Sequence, residues 1–282
     1  MTKSFTLSFS CPDQPGIVHS VSSFIVEIGG NITESRQFED RTNQLFFMRV
    51  EFDVNSNTTV EALQEKFENV GKPLAMNWRL VDSSEREKVL IMVSKYDHCL
   101  NDLLFRHRSG SLSVDIPVIV SNHRDLEEIA NWYGIPFVHI PTDGNKTDAE
   151  KKLREIVAQH KIDLIVLARY MQILSGEFCD DFAGKIINIH HSFLPSFKGA
   201  KPYLQAHQRG VKVIGATAHF VTRDLDEGPI IEQEVARVDH SHDVDQLASV
   251  GRDVEAQALA RAVQWHAEHR VFISGQRTIV FR

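Results

Sequence analysis

Between Lys88 and His191 the chain repeats one alternation, a short and almost unbroken apolar run followed by a more polar stretch. The runs are KVLIMVS (Lys88–Ser94), IPVIVSN (Ile116–Asn122), IPFVHIP (Ile135–Pro141), IDLIVLARYM (Ile162–Met171) and KIINIHH (Lys185–His191). Between them, LNDLLFRH, DLEEIANWYG, DAEKKLREIVAQHK and EFCDDFAG read as helices. A strand apolar on both faces has to be covered on both faces, and a strand–helix–strand link returns the next strand parallel to the last. The pattern therefore predicts an α/β domain with a Rossmann-like, mostly parallel sheet. The segment VKVIGATAHFVTRDLDEGPIIEQEVARV (Val211–Val238) departs from it, reading as two strands joined by the loop RDLDEG. That adds a hairpin to the sheet, followed by a long helix from about Asp243 to Glu268 and a final strand pair in VFISGQRTIVF.

The first eighty-odd residues follow another rule. FTLSFSC (Phe5–Cys11) alternates apolar and polar residues, as a half-buried strand does. After PDQPG, the residues Ile17, Val18, Val21, Phe24, Ile25 and Ile28 fall at helical spacing, and Gly29-Gly30 ends the helix. Two strands, NITESRQFED and NQLFFMRVEFD, then a helix over Thr59–Val70 and a strand AMNWRLVD complete the order βαββαβ, a ferredoxin-like sandwich. The polar stretch DSSEREK reads as a linker, so the expected division is 1–84 and 85–282.

No apolar run approaches the roughly 18 residues that span a membrane, and the N-terminus lacks the apolar core of a signal peptide. A cytoplasmic protein is expected. The net charge of −7, with no long basic run, argues against nucleic acid and for a small-molecule ligand. Cys11, Cys99 and Cys179 are too scattered for a disulfide framework or a CxxC metal site.

Within KIINIHHSFLPSFKGAKPY (Lys185–Tyr203), a turn is expected through Pro195 and Gly199. Asn188 and His190 are two apart on a strand, so both point to one face. An amide beside an imidazole suits an oxyanion developing on a carbonyl, and Asp226 in the hairpin loop can serve as a general base. His191, one residue on, is expected to face away, and His219 to orient Asp226. Taken singly, an Asn–X–His on a strand or an Asp in a turn is more often structural. Three His and an Asp invite zinc, yet the adjacent His190 and His191 should point to opposite faces of a continuing strand and no HExxH is present, so no metal or other cofactor is expected.

Three motifs in order change the weighing. LARYMQILS (Leu167–Ser175), INIHHSFLPSFKG (Ile187–Gly199) and HFVTRDLDEGPIIEQ (His219–Gln233) resemble the folate-dependent formyltransferases of the glycinamide ribonucleotide transformylase type, over roughly Val89–Arg270. The resemblance implies a catalytic trio of Asn188, His190 and Asp226. It also implies a folate pocket along Met171, Gln172, Ile173 and Leu174, with Lys146 toward the folate's acidic tail. Those enzymes carry a Gly-rich phosphate loop after the first strand; here VSKYDHCLNDL has no Gly and puts Tyr96, Asp97 and His98 in its place. With the acceptor's cradle gone, water is the remaining nucleophile. The expected reaction is hydrolysis of 10-formyltetrahydrofolate to formate and tetrahydrofolate, as in the formyltetrahydrofolate deformylases; transfer to an unidentified amine is the alternative.

CPDQPGIVHSVSSFIVEIGGNI (Cys11–Ile32) resembles an ACT domain. That implies a homo-oligomer and an amino-acid effector near Asp13, Gly16 and Asn31; supply of formate to purine synthesis is expected from the hydrolytic reaction.

Overall fold

The computed structural model describes residues 2–55, 57–142, 146–194 and 202–282, so the turn expected through Pro195 and Gly199 lies outside the described residues. The chain divides into two compact units. The first comprises 1–86 with 268–272 and 279–282, and the second comprises 87–267 with 273–278. The C-terminal hairpin is thus shared between the units, whereas the sequence reading gave all of it to the second.

In the first unit, β1 (Thr2–Pro12), α1 (Ile17–Glu27), β2 (Asn31–Asp40), β3 (Leu45–Asn55), α2 (Val60–Gly71) and β4 (Asn77–Asp82) follow the expected order. The antiparallel sheet runs β2-β3-β1-β4. Its core joins Phe5, Leu7 and Phe9 of β1 to Val21, Phe24 and Ile25 of α1 and to Leu63 and Phe67 of α2. Helix α2 starts where Thr59 accepts a hydrogen bond from the Ala62 amide, a side-chain N-cap.

The second unit contains β5 (Lys88–Val93), α3 (His98–Ser109), β6 (Asp115–Ser121), α4 (Glu127–Trp132), β7 (Phe137–His139), α5 (Lys146–His160), β8 (Leu164–Leu167), α6 (Gly176–Asp181) and β9 (Ile186–His190). There follow α7 (Pro202–Arg209), β10 (Val213–Phe220), β11 (Ile230–Arg237) and α8 (Val244–Ala267), then the closing pair β12 (Val271–Ser274) and β13 (Arg277–Val280). The sheet order is β11-β10-β9-β8-β5-β6-β7. Strands β5 to β9 are parallel and β10 is antiparallel to both neighbours, as the hairpin reading required. The chain leaves β5 toward β6 on one side and returns with β8 on the other. The β5–β8 border is therefore the point at which the strand order reverses, where ligand crevices form in such sheets.

Candidate active site

A cavity of about 290 Å³ lies in the second unit, lined by Leu167 and the segment Arg169–Leu174, by Asn188, His190 and His191, and by His219 and the β10–β11 loop with Asp226. Three hydrogen bonds, one within it and two at Ser175 just after it, fix the Arg169–Leu174 segment. The Met171 amide donates to Ser94 Oγ at 3.0 Å, and buried Glu150 accepts from the Ser175 amide at 2.7 Å and from its hydroxyl at 2.5 Å. Met171, Ile173 and Leu225 remain mostly exposed on the cavity wall, apolar surface for a ligand to cover.

Asn188 lies directly opposite His219 in the β9–β10 ladder, and Thr217 lies opposite His190. His219 Nδ1 points to the Phe220 carbonyl at 2.9 Å and so carries the proton. Its Nε2, left with a lone pair, accepts from Asn188 Nδ2 at 3.3 Å. Burial lowers the His219 pKa, against the raising effects of the Phe220 bond and Asp226, so the neutral ring is the stable form. Asp226 Oδ1 is 3.8 Å from the same Nε2, too far to compete. The expectation that His219 orients Asp226 gives way to a different geometry: its ring holds the Asn188 amide.

Asp226 instead meets His190, Nδ1 to Oδ1 at 3.2 Å. His190 Nε2 is buried with no hydrogen-bond partner among the described residues, so the ring is held at one nitrogen and open at the other. Burial pushes the Asp226 carboxyl up, but the bond from His190 and the neighbouring imidazoles outweigh it, and the group lies below the ordinary carboxylate range. Its backbone is left-handed, φ 58°, a conformation Asp tolerates better than most residues do. The turn closes on Gly228, where a Cβ would stand 1.7 Å from the Phe220 carbonyl oxygen; no other residue fits there.

His191 departs from expectation. β9 ends at His190, alternation no longer governs the next residue, and the His191 ring lies 4.9 Å from that of His190 on the same cavity wall. Burial, Arg169 and His190 lower its pKa to about 4. Of the residues expected at the folate pocket, Met171, Gln172, Ile173 and Leu174 line the cavity, whereas Lys146 is exposed at the start of α5 and is not among the lining residues. In the first unit Asp13 and Gly16 precede α1 and Asn31 opens β2; all three are exposed, and no side-chain hydrogen bond joins them. Sequence reasoning passed over Arg169, Glu150 and Glu255. Arg169 stood inside the quoted LARYMQILS, and the signal for the two Glu was a carboxylate on the apolar stripe of a helix.

The formyl transferase family matches residues 87–263, and the ACT domain family matches residues 5–68. A formyltetrahydrofolate deformylase of Corynebacterium sp. (strain P-1) is 49% identical over 98% of this chain and 97% of its own. That of Bacillus subtilis (strain 168) is 48% identical over 98% and 93%. The chain belongs to the formyltetrahydrofolate deformylase family. The crystal structure of the Burkholderia mallei ATCC 23344 deformylase superposes with a TM-score of 0.95 at 49% identity, covering 99% of this chain and all of that one. A glycinamide ribonucleotide transformylase from Symbiobacterium toebii matches only 70% of this chain, with a TM-score of 0.66 at 30% identity. This chain thus carries an ACT domain ahead of a formyl transferase domain.

Proposed function

We infer that the chain hydrolyses 10-formyltetrahydrofolate to formate and tetrahydrofolate. The observation that carries this reading is the His190 imidazole, bound to Asp226 through Nδ1 and presenting a buried Nε2 with no partner among the described residues, in a chain related over 98% of its length to a named deformylase. Folate lies along Met171–Leu174 with its formyl carbon between Asn188 and His190. Water gives a proton to Asp226 and bonds to the formyl carbon, and the electron pair of the C=O bond moves onto oxygen. The Asn188 amide, held by His219, and His190 stabilise that oxyanion. The C–N10 bond then breaks and N10 takes the Nε2 proton of a His190 that enters the cycle protonated at both nitrogens. The proton held by Asp226 passes back to His190, and the formic acid formed gives up its proton as formate leaves, one net proton released.

The same reading makes Asn188, His190 and Asp226 the catalytic groups and needs neither metal nor cofactor. A release assay in chelator-treated buffer tests it: stoichiometric formate with no amine supports hydrolysis, and turnover only when an amine is supplied makes the enzyme a transferase. The ACT match supports an amino-acid effector at Asp13, Gly16 and Asn31 and a homo-oligomer. A panel of amino acids that leaves both activity and sedimentation unchanged would remove both. No helix among the described residues is long and apolar enough to cross a membrane, which fits a cytoplasmic enzyme whose formate feeds purine synthesis.

A further inference from the structure

Arg169 is a buried cationic group of the cavity to which the hydrolytic steps give no task. It lies two residues beyond the β8 end with φ 64°, is 9% exposed and lines the cavity, yet its Nε is buried without a hydrogen-bond partner among the described residues. The nearest carboxylate, Glu255 on α8, stands 3.5 Å from that Nε. Both Glu255 oxygens are already engaged, Oε2 with His98 Nε2 at 2.7 Å and Oε1 by the Tyr203 hydroxyl at 2.7 Å. Glu255 is 1% exposed; burial raises its pKa, while the His98 bond, the Arg169 charge and the Tyr203 bond bring it below the ordinary range. Glu255 therefore balances the charge of Arg169 without accepting its hydrogen bonds. On the other side, the Tyr96 ring covers the guanidinium at 5.0 Å.

The frame around Arg169 is closely built. Gly251 lies one helical turn before Glu255, and a Cβ there would stand 2.0 Å from the Tyr203 hydroxyl, so the glycine makes room for the ring that holds Glu255. His98, Cys99 and Glu255 come within 4.8 Å of one another, but the 2.7 Å His98–Glu255 bond leaves no room for an ion between those two. Arg169 leaves β8 while Tyr96 and His98 leave β5, the two strands between which the sheet order reverses. A buried planar donor fork with unspent hydrogen bonds, facing the ligand crevice of such a sheet, calls for a planar anion.

We propose that Arg169 is the carboxylate-binding group of this cavity and that the carboxylate it receives is product formate, with Glu255, His98, Tyr203 and Tyr96 as positioning residues. This rests on the hydrolytic reading. As the C–N10 bond breaks, the formyl oxygen and the oxygen brought by water become the two equivalent oxygens of formate, a two-acceptor anion that matches two guanidinium donors. A guanidinium waiting there also draws the departing anion off the His190 side of the cavity. The glutamyl carboxylate of folate offers the same chemistry from the substrate side.

Saturation-transfer NMR of formate on the full-length protein, together with product inhibition by formate and by tetrahydrofolate, separates these. Formate binds the wild type, and Arg169→Gln weakens formate inhibition by about tenfold or more while leaving tetrahydrofolate inhibition within about twofold, which also shows an intact cavity. Arg169→Lys keeps the buried charge but not the fork and weakens formate about threefold or more, so it carries the test if the Gln variant does not fold. Unchanged formate binding in the variants overturns the proposal. So does a loss confined to tetrahydrofolate, which would assign Arg169 to the glutamyl carboxylate. Because formate binding is read without turnover, an inactive wild type that binds formate through Arg169 would defeat the hydrolytic reading alone.

Discussion

Asp226 occupies a backbone region that costs about 1–3 kcal/mol for a residue other than glycine, and such strain concentrates where a side chain must be aimed. The bond to His190 Nδ1 is what the aim achieves. Asn tolerates the same backbone region, so Asp226→Asn keeps the turn and the fold but removes the base and the charge beside His190. Turnover of that variant falls about 10²–10⁴-fold with KM within a few-fold of wild type. An undiminished kcat would show that Asp226 is not the base. His191 and His219 set a pH limit through the same burial. Their pKa values are lowered in the folded protein, so the unfolded chain binds more protons as pH falls below about 6.5, and stability drops through that range. For His191 the loss is complete near pH 4 and amounts to roughly 3 kcal/mol at most. His191→Asn therefore shows a smaller fall in melting temperature from pH 7.5 to 4.5 than wild type; parallel curves would refute it.

At the scale of elements, the β10–β11 turn decides whether the site forms. Its loop places Asp226 by folding the Gly228 backbone onto the Phe220 carbonyl, closer than any Cβ permits. Gly228→Ala strains the turn by about 1–3 kcal/mol. The loop yields before the sheet does, so activity drops about 100-fold, as a displacement near 1 Å at a reacting group does. Wild-type activity in that variant would mean the loop can place Asp226 by another path. Most elements were legible beforehand, because apolar runs such as KVLIMVS and LIVL have one stable use, inside a covered sheet. Helix α7 was not legible. PYLQAHQR is short and mostly polar, and its one clear cue, Pro202 at the first helical position, is weak by itself. Within the site, Asn188 and His190 were legible from their period of two. The inward turn of His191 was not, since the strand ends one residue earlier.

Across the whole molecule, the C-terminal segment carries weight that its place in the sequence does not suggest. In the first unit, Arg49 lies mid-strand on β3 and is almost fully buried. It donates to the Glu268 carbonyl at 2.9 Å and to Glu34 at 2.7 Å and also meets Glu51, while Arg270 reaches Glu34 at 3.2 Å. Phe272 packs edge-on against Phe47 at 5.7 Å and against Phe281 at 5.4 Å. Residues 268–272 and 279–282 thus complete a polar and aromatic cluster begun more than 200 residues earlier. Alternation in VFISGQRTIVF announced strands but could not name their neighbours, because long-range partners leave no local signature. Ending the chain at Ala267 strips Arg49 of one acceptor and uncovers Phe47, and a buried guanidinium short of partners is costly. The first unit should lose about 3–5 kcal/mol. Amide exchange reads this directly: the β3 amides from Phe46 to Val50 lose protection in the truncated chain, whereas unchanged exchange there would mean that the first unit does not depend on the tail.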